Sequence, residues 1–535
     1  MFLISVTNSF TQNLHDSLSN KVDSLFAKLN KTESTGIAVL VVKDEKVLLQ
    51  RGYGLANLEY KVPITSTTVF DIASMSKQFT GMAISVLIEQ GKFKPDDDIR
   101  TYIPEFPDFG YKITIDNLVH HTSGLRDWTR TLPLAGWKTG DVISFDQILN
   151  MVYHQKDLNF KPGSEYAYSN TGYNILVELI QRVTGKSFRE WTDINIFGPL
   201  GMKNTHFHDD YTEVIANKAC GYYRQNNKFH VSINNLTALG SSSLYTTIED
   251  LSKWVINIDN PKIGGKSVIN QMFQQGKLNN DSLISYAYGL EIGKYRDLKE
   301  ISHSGSWASF STYLTYFPEK HLSVVVLQNS PTDVYKATHD VADIYLAVNT
   351  PLNSNQSNKS PKFIDLPDSV LNNYTGTYRL GAAWYVTISR SDNKLNICAT
   401  LETARPFNAT SDTTFWAYNS PISFYKNHSS DIAGLYYRGM TCPKVMPLNT
   451  PWTDLIGEYY SEELDTKYRI CLEKDKLVAK HFKNGTINLT HACNEDFAGS
   501  VGYMSSVEFY RDKKGHIEGF WVTTTRSRKQ CFVKL

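Results

Sequence analysis

Four short stretches of the sequence carry side chains able to do chemistry. The first is Phe70-Asp71-Ile72-Ala73-Ser74-Met75-Ser76-Lys77-Gln78-Phe79, a turn that runs into an apolar-periodic segment ending near Gln90-Gly91. If that segment is a helix, Ser74 and Lys77 lie three residues apart on one face, so the amine reaches the hydroxyl. A serine is a weak nucleophile until a neighbour takes its proton, and a lysine does so only where desolvation or nearby positive charge lowers its pKa. Ile72, Ala73, Met75 and Phe79 offer the apolar setting that this requires. Spacing alone is a weak signal, because Ser-x-x-Lys also occurs on solvated helix faces. Ser76 is the other hydroxyl beside Lys77, but adjacent helical side chains diverge by about 100°, so it is read as structural.

The second stretch, Tyr166-Ala167-Tyr168-Ser169-Asn170-Thr171-Gly172-Tyr173, stands just before a helix. On one turn Tyr168 supplies a phenol that can shuttle a proton, and Asn170 an amide that can hold a substrate carbonyl. By themselves they also describe a buried tyrosine and a helix-capping asparagine. In the third stretch, His303-Ser304-Gly305-Ser306, Gly305 lets a substrate backbone approach an edge strand and the Ser306 N–H is a candidate oxyanion donor; the plain alternative is a loop. The fourth, His120-His121-Thr122-Ser123-Gly124-Leu125, is a helix end and turn with no evident titration chemistry. His206-x-His208-Asp209-Asp210 has metal-like composition, yet it follows Pro199-Leu200-Gly201-Met202 on a polar segment and is read as a solvated loop. No metal and no cofactor are expected.

The elements that must position these residues fall into two compositional regions. Asn8 to Leu29 has apolar residues at helical spacing, and Ile37–Val42 and Val47–Leu49 flank Lys43-Asp44-Glu45-Lys46 as a hairpin. From about Lys92 to Leu290 the pattern is mainly helical. Helices are predicted over Thr114–His120, Ser144–His154, Tyr173–Val183 with Gly185 as its stop, Ser187–Ile196, and Thr247–Ile258 with a Thr247-x-x-Asp250 start. Strands return at Ala287–Ile292, Thr312–Phe317 and Leu322–Gln328, and a helix follows over Asp333–Val348. Residues 1–350 therefore read as one α/β domain with sheet strands from both ends of the sequence and a helical region between them.

Residues 351–364, rich in Asn, Ser and Pro, read as a linker. Beyond it an internal repeat appears. Tyr374-x-Gly376-x-Tyr378 is echoed by Leu455-x-Gly457-x-Tyr459, Lys394-Leu395 by Lys476-Leu477, Ile422-x-Phe424-Tyr425 by Val507-x-Phe509-Tyr510, and Ile432-x-Gly434 by Ile517-x-Gly519. Residues 365–450 and 451–535 are thus two copies of one all-β unit, antiparallel barrels or a paired β structure.

Bulk properties exclude several classes. Of 535 residues, 55 are basic and 54 acidic, which leaves no field for nucleic acid or an anionic membrane. The 31 tyrosines are dispersed and not interleaved with basic runs. Cys220, Cys398, Cys442, Cys471, Cys493 and Cys531 have no C-x-x-C spacing, which leaves a choice between free thiols and one or two disulfides. Met1–Val6 lacks a basic n-region and a long apolar run, and no run of about 18 apolar residues occurs anywhere. The chain reads as soluble and without a signal peptide, with the cytoplasm favoured over export.

Taken together, Ser74-x-x-Lys77, His121-Thr122-Ser123-Gly124-Leu125, Tyr168-Ser169-Asn170-Thr171-Gly172-Tyr173, Pro199-Leu200-Gly201-Met202 and His303-Ser304-Gly305 resemble the serine β-lactamase and penicillin-binding-protein superfamily. The likeness covers roughly residues 15–345 and is greatest to its class C-like branch of D-aminopeptidases, D,D-carboxypeptidases, esterases and LACTB-type proteases. It implies an antiparallel sheet flanked by helices with a helical subdomain. It also implies acylation of Ser74, proton handling by Lys77 and Tyr168 with the base left open between them, Asn170 on the substrate amide, and an oxyanion hole of the Ser74 and Ser306 N–H groups. Relatives with β-lactamase activity usually carry Lys where this chain has His303, and a histidine near pKa 6.5 is only partly charged at neutral pH. The resemblance therefore implies a peptidase or amidase of D-aminopeptidase or D,D-peptidase type with weak or absent β-lactamase activity. Its alternatives are a carboxylesterase and a catalytically silent peptide-binding or self-assembling protein. Some D-aminopeptidases of the superfamily carry two β-barrels after the catalytic domain, which implies that a loop from residues 365–535 lines the cleft here. Expected partners are a small peptide, amide or ester and, for assembly, further copies of the chain.

Overall fold

Ile37–Val42 and, but for Ser323, Leu322–Leu327 are apolar without alternation, the pattern of strands covered on both faces. The computed structural model describes residues 3–31, 33–346, 362–391, 394–417, 420–437, 439–446 and 452–535. In it these two runs pair side by side within a six-stranded antiparallel sheet. Its order is Glu291–Tyr295, Leu298–Trp307, Phe310–Phe317, Leu322–Gln328, Ile37–Lys43, Lys46–Tyr53. Val22 and Phe26 of the helix Leu3–Lys31 and Val341 and Ala342 of Val334–Tyr345 pack on Val39, Val41, Val324 and Val326. Leu40 and Val325, which alternate to the other face, are also fully buried, and the helix Ile248–Asp259 packs against that part of the sheet.

Between the sheet's two halves run the helices, of which Lys77–Glu89 and Asn170–Thr184 are buried almost all round over their first two turns. The predicted stop at Gly185 is a left-handed cap with φ +68°, and Thr247 caps its helix by accepting the Asp250 N–H at 3.1 Å. The helix predicted to begin at Tyr173 begins at Asn170, because Asn170-Thr171-Gly172 resembles a turn in composition. Ser187–Ile196 divides into a helix Phe188–Thr192 and a wide turn Asp193–Phe197. The strand expected over Ala287–Ile292 is shifted to Glu291–Tyr295. The stretch with His303, offered as a loop or an approach to a strand, is itself the ten-residue strand Leu298–Trp307, whose Ser, His and Gly residues hide its alternation.

The chain divides into two units, Met1–Trp128 with Lys138–Leu352, and Thr129–Trp137 with Asn353–Leu535. Thr129–Trp137, which the sequence assigns to the first domain, therefore goes with the second unit. Its Leu134 is buried among Tyr459, Tyr468, Phe520 and Phe532, and Tyr468 Oη donates to the Leu134 carbonyl at 2.9 Å. Residues 351–361 of the expected linker lie outside the described residues.

The repeat is two closed antiparallel barrels, with strands from Gly376 to Val445 and from Gly457 to Lys534. Matching residues make matching contacts. Tyr378 Oη donates to the Tyr374 carbonyl and Tyr459 Oη to the Leu455 carbonyl, both at 2.7 Å. Lys444 Nζ and Lys534 Nζ each stand 5.8 Å from the ring of the tyrosine in their own barrel. All six cysteines are free thiols, which settles the choice the sequence leaves open. No helix among the described residues is long and apolar enough to cross a membrane.

The two tyrosines should be energetically equivalent. Tyr378→Phe and Tyr459→Phe each leave a buried carbonyl without its donor and should each lower stability by about 1 kcal/mol in urea denaturation. A full effect at one position and none at the other would show that the barrels do not share this interaction.

Candidate active site

Phe70–Asp71 pairs with Leu244–Thr246, and the chain then turns sharply at Ala73, whose φ is +49°. A left-handed conformation is costly for a residue with a side chain and persists only where the surroundings impose it. Here the Ala73 N–H donates to Asp71 Oδ1 at 2.8 Å, the Ile72 N–H to the Leu244 carbonyl at 3.0 Å, and Thr312 Oγ1 to the Ile72 carbonyl at 2.9 Å. Burial pushes the Asp71 carboxyl up to about 6, opposed by the Ala73 N–H and the Asn234 amide, so it is ionised at neutral pH. Ala73–Ser76 then forms a 3₁₀ turn, in which residues three apart eclipse. That stacks Ser74 over Lys77, the first residue of the helix Lys77–Glu89, with Lys77 Nζ 3.3 Å from Ser74 Oγ. Ser76 is structural, as its spacing implies: it donates to the Ala73 carbonyl and accepts from the Leu244 N–H at 3.2 Å.

Lys77 is fully buried. Its Nζ donates to Asn170 Oδ1 at 2.8 Å and to the Ser241 carbonyl at 2.6 Å. The Asn170 amide is oriented from both sides, since its nitrogen donates to the Asp127 carboxylate at 3.1 and 3.3 Å. Asp127 is held in turn because Thr171, the residue after Asn170, donates to the Arg126 carbonyl at 2.7 Å and accepts the Trp128 N–H at 3.0 Å. Ser241 follows Gly240, whose φ is +83° and where a Cβ would lie 2.2 Å from Val177. Asn174 Nδ2, one turn along from Asn170, ties the same loop down through the Leu239 carbonyl at 2.9 Å.

Tyr168 joins the group through its ring, whose centroid is 4.9 Å from Lys77 Nζ. His121 packs against that ring with centroids 4.3 Å apart and accepts the Ser169 N–H on Nδ1 at 3.2 Å. Tyr286 packs against it as well, at 4.4 Å. Tyr286 Oη is 2.9 Å from His303 Nε2, and His303 Nδ1 is 2.6 Å from the Ser304 carbonyl. A carbonyl only accepts, so the proton is on Nδ1, and Nε2 accepts from the tyrosine. Burial first, and the nearby Lys77 charge second, push His303 down to about 3. The histidine expected to be partly charged and to meet substrate is thus neutral, and both its nitrogens are engaged within the protein.

The strand alternates from His303 onward: His303 and Gly305 are buried, Ser304 and Ser306 exposed. Glu291–Tyr295 pairs with it only as far as Ser302. Gly305 has a different role from the one its sequence suggests. A Cβ there would lie 2.2 Å from the Ile72 carbonyl oxygen, so the glycine admits the Ser74 turn, not a ligand.

The structure therefore brings Ser74, Lys77, Tyr168 and Asn170 together, with His303 behind Tyr168 at a ring separation of 6.3 Å. Sequence reasoning missed Asp127, Ser241, Tyr286 and the packing role of His121. Asp127 stands in an Arg-Asp pair directly after Gly124-Leu125, a spacing that by itself names no role. Ser241 contributes a backbone carbonyl, for which no side-chain signal exists. The arrangement is one in which a half-buried hydroxyl faces an amine that two carbonyl oxygens hold in place.

Comparison with known proteins gives the same domain. The Beta-lactamase family model matches residues 22–347. The chain is 30% identical to Protein flp of Staphylococcus aureus over 56% of its own length and 60% of that relative's, so it spans about three fifths of it. It is 26% identical to the D-aminopeptidase of Gluconobacter oxydans over 65% of this chain and 66% of that one. Among solved structures, the octameric penicillin-binding protein homologue from Pyrococcus abyssi aligns over 88% of this chain and 99% of its own with a TM-score of 0.56 at 21% identity.

The neutral His303 has a consequence for stability. The folded protein keeps the ring uncharged where the unfolded chain, near pKa 6.5, binds a proton. This contribution is intact above pH ~6.5 and is lost as pH falls toward about 3. His303→Gln should remove up to about 1.4 kcal/mol per pH unit of that acid destabilisation, read from urea denaturation at a series of pH values. Parallel curves for the two proteins would contradict it.

Proposed function

The chain belongs to the beta-lactamase family, and on that footing we propose that it is a serine hydrolase cleaving peptide or amide bonds through an acyl-enzyme on Ser74. The observation that carries this reading is the 3.3 Å approach of Lys77 Nζ to Ser74 Oγ, with the same amine also donating to Asn170 and Ser241. Once the amine has given up a proton, it stays held by Asn170 Oδ1 and the Ser241 carbonyl and can accept the Ser74 proton across that short approach. Lys77 is then the first acceptor of the Ser74 proton, and Tyr168 beside it passes a proton to the leaving nitrogen. The Ser74 and Ser306 backbone N–H groups receive the oxyanion. Asn170, fixed between Lys77 and Asp127, faces the substrate amide. Beyond Ser302 the strand edge is free of its neighbour strand, which suits an extended substrate backbone adding alongside Ser304–Ser306. Water completes the cycle by hydrolysing the ester.

The D-aminopeptidase relative brings peptides and amides of D-residues forward as the substrate class. A carboxylesterase would use the same acyl-enzyme, and a silent peptide-binding or assembling protein would use none. His303, uncharged and turned inward, supplies no cation for the carboxylate of a penicillin.

Two measurements test this. Wild-type protein should be labelled by a fluorophosphonate, and Ser74→Ala should abolish the label and lower amide hydrolysis at least about 10⁴-fold; a wild-type protein that neither labels nor hydrolyses amides or esters would favour the silent reading. Hydrolysis of a chromogenic cephalosporin should be weak or absent, and efficient turnover would overturn the substrate assignment.

A further inference from the structure

Among the described residues, one group of three histidine or acidic side chains brings its ligand atoms within 4.8 Å of one another: His206, His208 and Glu213. The sequence places them on a solvated loop, but His206–Phe207 is a short strand paired with Leu244–Thr246, His206 opposite Tyr245. The His208 N–H continues that ladder by donating to the Ser243 carbonyl at 2.8 Å. Two residues apart on extended backbone, the imidazoles project to the same side. His208 is buried and His206 half-buried. Tyr245 backs both, with ring centroids 6.2 Å from His206 and 4.8 Å from His208.

Distances within the group favour a shared ion over a direct hydrogen bond. His206 Nε2 is 3.4 Å from His208 Nδ1, and His208 Nδ1 is 3.7 Å from a Glu213 oxygen. A separation of 3.4 Å is long for a ring N–H donating to nitrogen. It matches the edge of a tetrahedron around a metal with bonds of about 2.0–2.1 Å, which is roughly 3.4 Å. Glu213 is fixed by Arg189, which donates to its two oxygens at 2.6 and 2.9 Å and also to Asp209 at 2.8 Å. Two acids therefore balance the arginine, which stands behind a ligand as an outer-shell partner does in established metal sites. A cavity of about 550 Å³ lined by His206, Glu213 and Arg189 gives access from solvent.

We propose that His206, His208 and Glu213 bind a divalent transition metal, zinc by their N₂O donor set, with water in the remaining position on the cavity side. Calcium and magnesium, which take oxygen ligands, do not suit two imidazoles. The ion would close the loop from His206 to Glu213 onto the strand Leu244–Thr246, whose other edge carries Phe70–Asp71 and the turn to Ser74. It braces that three-stranded sheet and takes no part in acyl transfer, so the site stands or falls independently of the proposed hydrolysis.

The test uses the full chain stripped with a chelator and titrated with Zn²⁺ by calorimetry and with Co²⁺ by visible absorption. One equivalent should bind, with cobalt bands of tetrahedral intensity and, at a hundredfold excess of Zn²⁺ over Kd, a rise in melting temperature of about 2–4 °C. His206→Gln and Glu213→Gln, each compared with its own metal-free melting temperature, should weaken Zn²⁺ binding by at least about tenfold to a hundredfold and abolish the cobalt bands. No stoichiometric binding by the wild type, or binding unchanged in both variants, would overturn the proposal.

Discussion

A lysine with no exposed surface is expensive to bury unless its nitrogen is fully served, and the first unit of this protein is arranged around serving Lys77. Its partners come from distant parts of the chain. Ser74 belongs to the turn before its own helix, Asn170 to the start of another helix, and Ser241 to a loop that glycine alone can turn. Each is secured again: Asn170 by Asp127, Asp127's segment by Thr171, the Ser241 loop by Asn174, and the Ser74 turn by Asp71 and Thr312. Removing any one leaves a buried polar group unpaired, which costs more than the net gain from making the bond. The same network that makes burial tolerable also fixes the amine against a hydroxyl.

What could be read from the sequence is what local chemistry dictates. The Ser74–Lys77 spacing, the caps at Gly185 and Thr247, the hairpin around Asp44-Glu45 and the apolar central strands depend on neighbours a few residues away. The 81- to 85-residue repeat was legible because each barrel carries its own copies of the same contacts. Asp127 and Tyr286 were not legible, because their roles arise from residues 43 and 17 positions off in the chain. Gly305 was noticed for the wrong reason: its missing side chain makes room for a carbonyl from residue 72, which nothing near residue 305 announces. His206 and His208 read as a loop in the sequence because a two-residue strand has no periodicity to detect, and its partner strand begins at Leu244.

The strand Leu244–Thr246 shows how much a small element can decide. Leu244 accepts the Ile72 N–H and donates its own to Ser76, so it sets the geometry on both sides of Ser74. The neighbouring Tyr245 faces Asp71 across one ladder and His206 across the other, and it also accepts from Asn234, whose amide nitrogen reaches Asp71 as well. Asp71 is thereby kept in place to hold Ala73 in its left-handed conformation. Strain at the Ser74 turn is balanced by hydrogen bonds on a sheet whose far edge is the histidine strand.

The orientation of His303 follows from the same economy of space. Gly305 must lie under the Ile72 carbonyl, and side chains two apart on a strand share a face, so residue 303 is turned inward toward Tyr286 while Ser304 and Ser306 look out. A cation at 303 would sit in the same low-dielectric interior as Lys77, and the Lys77 charge already disfavours protonation of the ring. A neutral imidazole that donates to the Ser304 carbonyl and accepts from Tyr286 satisfies the position without a second charge. The buried face behind Ser74 then carries the Lys77 amine without a second cation at position 303, while Ser304 and Ser306 present the exposed face of the strand.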